Sequence, residues 1–230
     1  MAKTKKVILF IVEGITDKTA LGNVLTNLIE TDNETVRFAM TDGDITTKND
    51  INTGNVISKV NALVKGALDK NKFQSKDLLS IIHLIDTDGA FVPVFSVQNN
   101  SEAAHIEYSE TSIQTAHLDY ILERNQKKTI LIDKLRGKEE INKKPYKVFY
   151  FSRNMEHVFH NEIHELSKEE KMALADRFDD MYGDNPQDFL NFIHSNVFAS
   201  QGNYEETWNF IKQGTHSLER WSNFHLFFEN

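Results

Sequence analysis

Two apolar runs in this sequence are each followed by a pair of carboxylates. The run VILFIV precedes Glu13 and Asp17, and the run LLSIIHLI precedes Asp86 and Asp88. Carboxylates two positions apart repel each other, and an apolar crevice would raise their pKa values. A bound divalent cation offsets the repulsion between the carboxylates and favours their charged form. Oxygen ligands of this kind suit Mg²⁺ or Mn²⁺. The pattern therefore predicts a Mg²⁺ or Mn²⁺ site built from these four side chains.

Helix capping and turn formation are the alternative roles for these acids. A helix is predicted from Thr16 or Asp17 to about Thr31, and an aspartate at its start could serve only as a cap. Both interpretations of Asp17 stay open. For Glu13 and the pair of aspartates after the second apolar run, metal binding is the favoured interpretation.

Buried strands that alternate with amphipathic helices predict the fold that must position the acids. Strands are expected at residues 7–12, 35–40, 78–85 and 147–152, and helices at 17–31 and 55–68. This order is typical of a parallel α/β sheet with right-handed crossovers and flanking helices. Ligands in such sheets bind at the carboxyl ends of the strands. We therefore expect the first and third strands to be neighbours, with Glu13 close enough to Asp86 and Asp88 to share a cation.

The acidic motifs resemble those of the Toprim family. In that family an apolar strand ending in E-G-x-[ST]-D is followed by an apolar strand ending in D-x-D-G. The matching residues here are Glu13, Gly14, Thr16 and Asp17, followed by Asp86, Asp88 and Gly89. Toprim domains occur in topoisomerases, bacterial primases, DNA-repair proteins, the maturase of 5S ribosomal RNA and OLD-family nucleases. The resemblance covers about residues 5–160, and it implies metal-dependent phosphodiester chemistry with Glu13 in proton transfer or metal binding.

A further element is similar to the Toprim domain of OLD-family nucleases. These carry a strand that ends in serine and then a helix start bearing a glutamate, which KVFYFSRNMEHVF matches with Ser152 and Glu156. The resemblance implies that Glu156 joins the metal ligands and that Ser152 supports them. It also implies a downstream lysine, for which Lys212 and Arg220 are the candidates. No G-x-x-x-x-G-K-[ST] motif occurs, so a separately encoded ATPase is a partner that the resemblance allows.

The charge distribution points to nucleic acid as a partner, although the chain is acidic overall. The net charge of −8 argues against a protein that coats DNA or RNA by bulk electrostatics. The segment from Arg124 to Lys147 is strongly basic, and its candidate phosphate contacts are Lys127, Lys128, Lys134 and Arg136. The alternative is that this segment is a solvated helix and loop without a ligand.

Composition limits the remaining possibilities. The chain has no cysteine, which excludes disulfides, thiolate zinc sites and cysteine nucleophiles. The first apolar run is too short to span a bilayer, so we expect a cytoplasmic protein without a membrane partner. Residues 1–165 are predicted to form the Toprim-like catalytic domain, with a helical insertion at about 94–145. Residues 166–230 are predicted to form a C-terminal helical extension packed on that domain.

The sequence thus predicts a metal-dependent nuclease acting on DNA or RNA, with a role in phage defence or nucleic-acid processing. One alternative is a Toprim protein that binds nucleic acid or a partner without catalysis. The other is a phosphatase of the haloacid-dehalogenase type, which also has D-x-D after an apolar strand. That family continues its motif with a threonine where this chain has Ala90. It would also leave Glu13 without a role.

Overall fold

A computed structural model describes residues 5–41 and 44–229. Its strands are β1 (Lys6–Val12), β2 (Glu34–Met40), β3 (Leu78–Asp86), β4 (Val97–Asn99), β5 (Glu107–Tyr108), β6 (Ile113–Thr115), β7 (Glu140–Ile141) and β8 (Lys144–Phe151). Its α-helices are α1 (Ile15–Ile29), α2 (Val56–Lys70), α3 (Leu118–Arg136), α4 (Met155–His160), α5 (Lys168–Tyr182), α6 (Pro186–Ile193) and α7 (Tyr204–Ile211).

The main sheet has the strand order β2-β1-β3-β8-β7. Strand β1 pairs in parallel with both β2 and β3, whereas the short β7 is antiparallel to β8. The fold is therefore α/β, with a mostly parallel sheet and flanking helices, as predicted. The expectation that the first and third strands are neighbours is confirmed.

The chain divides into two compact units, and each is discontinuous in sequence. The first unit contains the described residues up to Ile85 together with 131–149 and 172–189. The second unit contains residues 86–130, 150–171 and the described residues from Leu190 onward. Both units therefore draw on the first 165 residues and on the C-terminal segment.

The core of the first unit follows from the apolar patterns of its sheet and helices. Every residue of β1 from Leu9 to Val12 is buried, because a central parallel strand is covered on both faces. Helix α1 buries Ala20, Leu21, Val24 and Leu25, and α2 buries Val56, Val60, Val64 and Leu68. The spacing of three and four residues places each set on one face of its helix.

The second unit contains a small sheet that the sequence analysis did not predict. Strand β6 pairs in parallel with β4 and antiparallel with β5. Val97 of β4 and Ile113 of β6 form a buried cluster with Ile121 of α3 and Leu218. The insertion after β3 thus carries the predicted helix, α3, and places a three-stranded sheet before it.

The C-terminal part is helical, as expected, with α5, α6 and α7 separated by short connections. The acidic run FDDMY belongs to α5, which extends to Tyr182. Within the described residues, no helix combines the length and the apolar character needed to cross a membrane.

Candidate functional site

The D-x-D motif and the serine–glutamate motif meet within the second unit. The backbone N–H of Thr87 donates to the carbonyl of Phe151, and that of Asp88 donates to the carbonyl of Arg153, both at 2.9 Å. The Arg153 N–H in turn donates to the Thr87 hydroxyl at 2.9 Å. These bonds hold the two motif segments side by side beyond the ends of their strands.

Two residues in this pairing have left-handed backbone conformations. Asp88 has a φ of 49° and Arg153 a φ of 57°. Aspartate tolerates this region better than most residues, whereas a long side chain such as arginine rarely adopts it. Such conformations persist where surrounding bonds fix them, and they cluster at functional sites. Here the bond from Asp88 to Arg153 joins the two residues directly.

Asp88 forms an ion pair with a buried lysine. Lys128, on α3, has a fully buried side chain, and its Nζ lies 2.7 Å from Asp88 Oδ2. The Asp88 side chain is 31% exposed. An ammonium group in this environment needs a negative partner, because its desolvation costs several kcal/mol. Lys128 therefore supports Asp88 from the interior instead of presenting its charge to solvent.

The Ser152 hydroxyl is buried and bonded to backbone. It donates to the Glu219 carbonyl and accepts from the Trp221 N–H. Neighbouring groups extend this junction, since the Arg153 N–H and the Thr87 hydroxyl both donate to the Ser217 carbonyl. The segment 217–223 is thereby fastened to both motif segments. Ser152 holds this segment in place, a role that the sequence did not indicate.

Glu156 lies in the first turn of α4 and is 6% exposed. Asn154 caps the helix by accepting from the His157 N–H at 2.8 Å. A Glu156 oxygen lies 3.8 Å from Lys171 Nζ. Burial, with the positive charge of Arg153 adding to it, lowers the pKa of His157 to about 4, so this histidine is neutral at pH 7.

A cavity of about 430 Å³ opens between these elements, entirely within the second unit. Asp88, Arg153 and Glu156 line it from the motif segments, and Arg124 lines it from α3. Its volume is within the range of small-molecule sites. The structure therefore brings two of the predicted acids, Asp88 and Glu156, to the wall of one cavity.

Tyr108 holds both arginines of this cavity. Its hydroxyl accepts from Arg124 Nη2 at 3.1 Å, and its ring lies 4.5 Å from the Arg153 guanidinium. Arg124 also donates twice to Asn125 Oδ1, and Arg153 donates to the Ile163 carbonyl at 2.7 Å. Burial, together with the negative charge of Asp88, raises the pKa of the Tyr108 hydroxyl. The phenol is therefore neutral at physiological pH.

The acids after β1 belong to the first unit. Asp17 Oδ2 accepts from the Gly14 N–H at 3.0 Å, which stabilises the start of α1. This is the capping type of interaction that the sequence left open for Asp17. Glu13 follows β1 directly and is half-buried. A cation shared between Glu13 and the two aspartates after β3 stays a prediction.

The donor chemistry of the predicted ligands fits a hard cation, since all of them are carboxylates. Among the described residues, however, no three histidine, aspartate or glutamate side chains are grouped as ligands for a metal ion. Asp88 and Glu156 each contact a lysine instead.

The other predicted cations occupy different surroundings. Lys127 is half-buried and belongs to the second unit, whereas Lys134 and Arg136 belong to the first. The last two lie in the final turn of α3, where cations stabilise a helix terminus.

The two candidates for a downstream cation also have contacts. Lys212 Nζ lies 5.2 Å from the centre of the Phe91 ring. Arg220 Nε donates to the Val158 carbonyl at 2.7 Å, near the end of α4. Arg220 therefore stabilises the carboxyl end of that helix.

The sequence analysis did not single out Arg124, Arg153 and Tyr108 as site residues. Arg124 was counted in the basic segment, and Arg153 stands between the two residues of the serine–glutamate motif. The sequence feature that could have identified Arg153 as a site residue is its position directly after the motif serine, Ser152. Comparison with family models, curated proteins and solved structures found no significant match to this chain.

Proposed function

We propose that the chain is a cytoplasmic, divalent-metal-dependent phosphodiester hydrolase of the Toprim type that acts on DNA or RNA. One observation carries the proposal. Strands β1 and β3 are parallel neighbours, and each is followed in the chain by the acidic motif that the Toprim pattern requires. Ligands of parallel α/β sheets bind at these ends of the strands.

In this proposal Glu13, Asp86 and Asp88 hold Mg²⁺ or Mn²⁺, with Asp17 and Glu156 as further ligands. The cation would neutralise the charge that develops on a phosphodiester and lower the pKa of a bound water. Glu13 is the residue proposed for proton transfer. Lys128 orients the Asp88 carboxylate through its 2.7 Å contact.

The proposed partner is nucleic acid, with Lys127, Lys134 and Arg136 as phosphate contacts. A separately encoded ATPase is a second proposed partner, by analogy with the OLD family. Neutralising the three cations together should weaken nucleic-acid binding and flatten its salt dependence, because each phosphate contact releases counterions. An unchanged salt slope would leave these side chains as a solvated surface.

Cleavage of plasmid and of single- and double-stranded oligonucleotides, with Mg²⁺, Mn²⁺ or EDTA, tests the proposal. We expect metal-dependent nicking that Glu13→Gln and Asp86→Asn reduce by more than about 100-fold, the upper limit for residues that only support a metal ligand. Asp69→Asn, at an exposed position near the end of α2, is the matched control and should retain activity.

Thermal unfolding with and without millimolar Mn²⁺ gives a second readout that needs no substrate. Wild-type protein should gain stability with the cation, and Asp86→Asn should gain much less. Nucleic-acid binding without cleavage would support the non-catalytic alternative. Phosphate release from small phosphomonoesters, without nicking, would support the phosphatase alternative. If Mn²⁺ stabilises neither protein and nothing is cleaved, the proposal is wrong.

A further inference from the structure

The buried Arg153 and the half-buried Arg124 line the cavity of the second unit without a carboxylate partner among the described residues. Arg153 is 4% exposed, and its Nε makes no hydrogen bond within the part of the chain that the structure describes. Arg124 and Arg153 bond only to neutral groups, namely a phenol, an amide oxygen and a carbonyl. No described carboxylate oxygen lies within 4.0 Å of either guanidinium.

The carboxylates that line the same cavity each have a basic side chain within 4.0 Å. Asp88 contacts Lys128 at 2.7 Å, and Glu156 lies 3.8 Å from Lys171. Glu165 lies 3.4 Å from the His105 imidazole. Asp88 acts on both arginines through space, but its direct ion pair is with the lysine. The two arginines are therefore the charged groups of the cavity that lack a direct ion pair among the described residues.

Buried charges in proteins are normally paired, because desolvation of an isolated ion is costly. Tyr108 contacts both arginines, because its hydroxyl accepts a hydrogen bond from Arg124 and its ring lies 4.5 Å from the Arg153 guanidinium. Two pre-positioned guanidinium groups match a phosphate, which accepts forked hydrogen bonds from arginine. A phosphate monoester carries a charge between about −1.5 and −2 at pH 7, so it suits two cations better than a carboxylate does.

The rest of the cavity can hold the nucleoside to which such a phosphate is attached. A volume of about 430 Å³ is far more than one phosphate group needs. Ala103, Ala104 and Ile106 provide apolar wall, and the exposed imidazoles of His117 and His164 lie at its rim. Flat aromatic side chains can stack on a nucleobase.

We propose that this cavity binds the phosphate monoester of a nucleotide, with Arg124 and Arg153 as its ligands and Tyr108 as their positioning residue. The nucleotide is either free or the terminal residue of a nucleic-acid strand. The site is assigned from the arginines and the cavity, so it does not depend on cleavage or on a metal ion.

Calorimetric titration in EDTA tests the proposal without involving the hydrolase activity. The ligands are a nucleoside 5′-monophosphate, the nucleoside, and one oligonucleotide with a 5′-phosphate or a 5′-hydroxyl. We expect the phosphorylated member of at least one pair to bind at least about tenfold more tightly than its unphosphorylated counterpart. Tighter binding of the phosphorylated oligonucleotide than of the mononucleotide identifies a strand end, and the reverse identifies a free nucleotide.

Substitutions then assign the site. Arg153→Met and Arg124→Met should each weaken binding of the phosphorylated ligand about tenfold or more, and Arg177→Met, an exposed arginine of α5, should not. Arg124→Lys keeps the charge but loses the forked geometry, so it should weaken binding even if the methionine variants do not fold. Equal binding with and without the phosphate in wild-type protein overturns the proposal. So does unchanged affinity in the folded arginine variants.

Discussion

At the scale of single residues, Asp88 not only lies close in sequence to Asp86, which it would repel, but also forms an ion pair with Lys128. Its carboxylate lies against the fully buried ammonium of Lys128, and its backbone is held in a left-handed conformation. The charge of Asp88 therefore stabilises the folded protein even without a cation. Sequence alone could not assign Lys128 to this pair, because Lys127 and Lys128 are the same residue type at adjacent positions of one helix.

The ion pair between Asp88 and Lys128 predicts that removing one charge lowers the free energy of unfolding more than removing the other. Asp88→Asn should lower the free energy of unfolding by about 1–3 kcal/mol, because the buried Lys128 cannot be hydrated instead. Asparagine also tolerates a positive φ, so the backbone should be preserved. Lys128→Met should cost less, because Asp88 is 31% exposed and water can solvate it.

Urea unfolding of the two single variants and of the double variant measures this coupling. The double variant should recover part of the stability lost in Asp88→Asn. Asp69→Asn, at an exposed site, should change stability by less than about 0.5 kcal/mol. A larger loss for Lys128→Met than for Asp88→Asn would contradict the asymmetry.

At the scale of elements, the turn after β3 packs closely on α3. A Cβ at Gly89 would lie 2.6 Å from Asn125 Nδ2 and 2.8 Å from Ile113 Cδ1, both of which are buried. Asn125 in turn accepts two hydrogen bonds from Arg124 through its Oδ1. The glycine of the D-x-D-G motif therefore permits a close approach that keeps Arg124 in position.

Gly89→Ala should destabilise the protein by about 1–3 kcal/mol, because buried neighbours must move to admit the methyl group. It should also weaken nucleotide binding in the cavity through the displaced Asn125. Gly66→Ala, within α2, has open space around the added Cβ and should be neutral or stabilising. Chemical denaturation and calorimetry on both variants check this. Unchanged stability in Gly89→Ala would mean that Asn125 adapts without cost.

Element length explains how much of the fold could be predicted. Strands β1, β2, β3 and β8 and helices α1 and α2 have seven to fifteen residues, which is enough to display a periodic apolar pattern. Strands β4, β5 and β6 have only two or three residues each. Their pairing is set by tertiary packing around Val97 and Ile113, so no periodic apolar pattern in the local sequence predicts these strands.

At the scale of the whole molecule, three buried histidines have a lowered pKa among the described residues: His83 in the first unit, and His157 and His225 in the second. Burial lowers the pKa of His83 to about 4, and its Nδ1 lies 2.7 Å from the Tyr146 hydroxyl. His157, in the second unit, has its pKa lowered to about 4 mainly by burial. Two acids of the cavity, Asp88 and Glu156, were among the predicted site residues. Its two arginines were not predictable, because their surroundings depend on contacts distant in sequence.

These histidines predict a loss of stability at mildly acidic pH. Between about pH 6.5 and pH 4 the unfolded chain binds protons that the folded protein excludes, so stability is complete above this range and falls through it. His83 and His157 should each contribute a slope of about 1.4 kcal/mol per pH unit. Urea unfolding at several pH values between about 7.5 and 4.5 measures the slope.

Substituting His83 and His157 one at a time measures how much each contributes to this slope. His83→Gln and His157→Gln should each reduce the slope, and buried His225 should contribute part of the remainder. His117→Gln, at an exposed position, should retain the slope. A slope that survives in both buried-site variants would assign the pH dependence to other groups.

The junction around Ser152 has a consequence for how the protein is made. Segment 217–223 supplies the carbonyl and N–H partners that fix both motif segments, yet it follows them by more than 60 positions in the chain. Ribosomes deliver the N-terminal part first, so the sheet of the first unit can form early in synthesis. The bonds from this segment to the two motif segments can form only after it has emerged. A nascent chain that stalls before residue 217 therefore lacks the contacts that fix the residues beside the cavity.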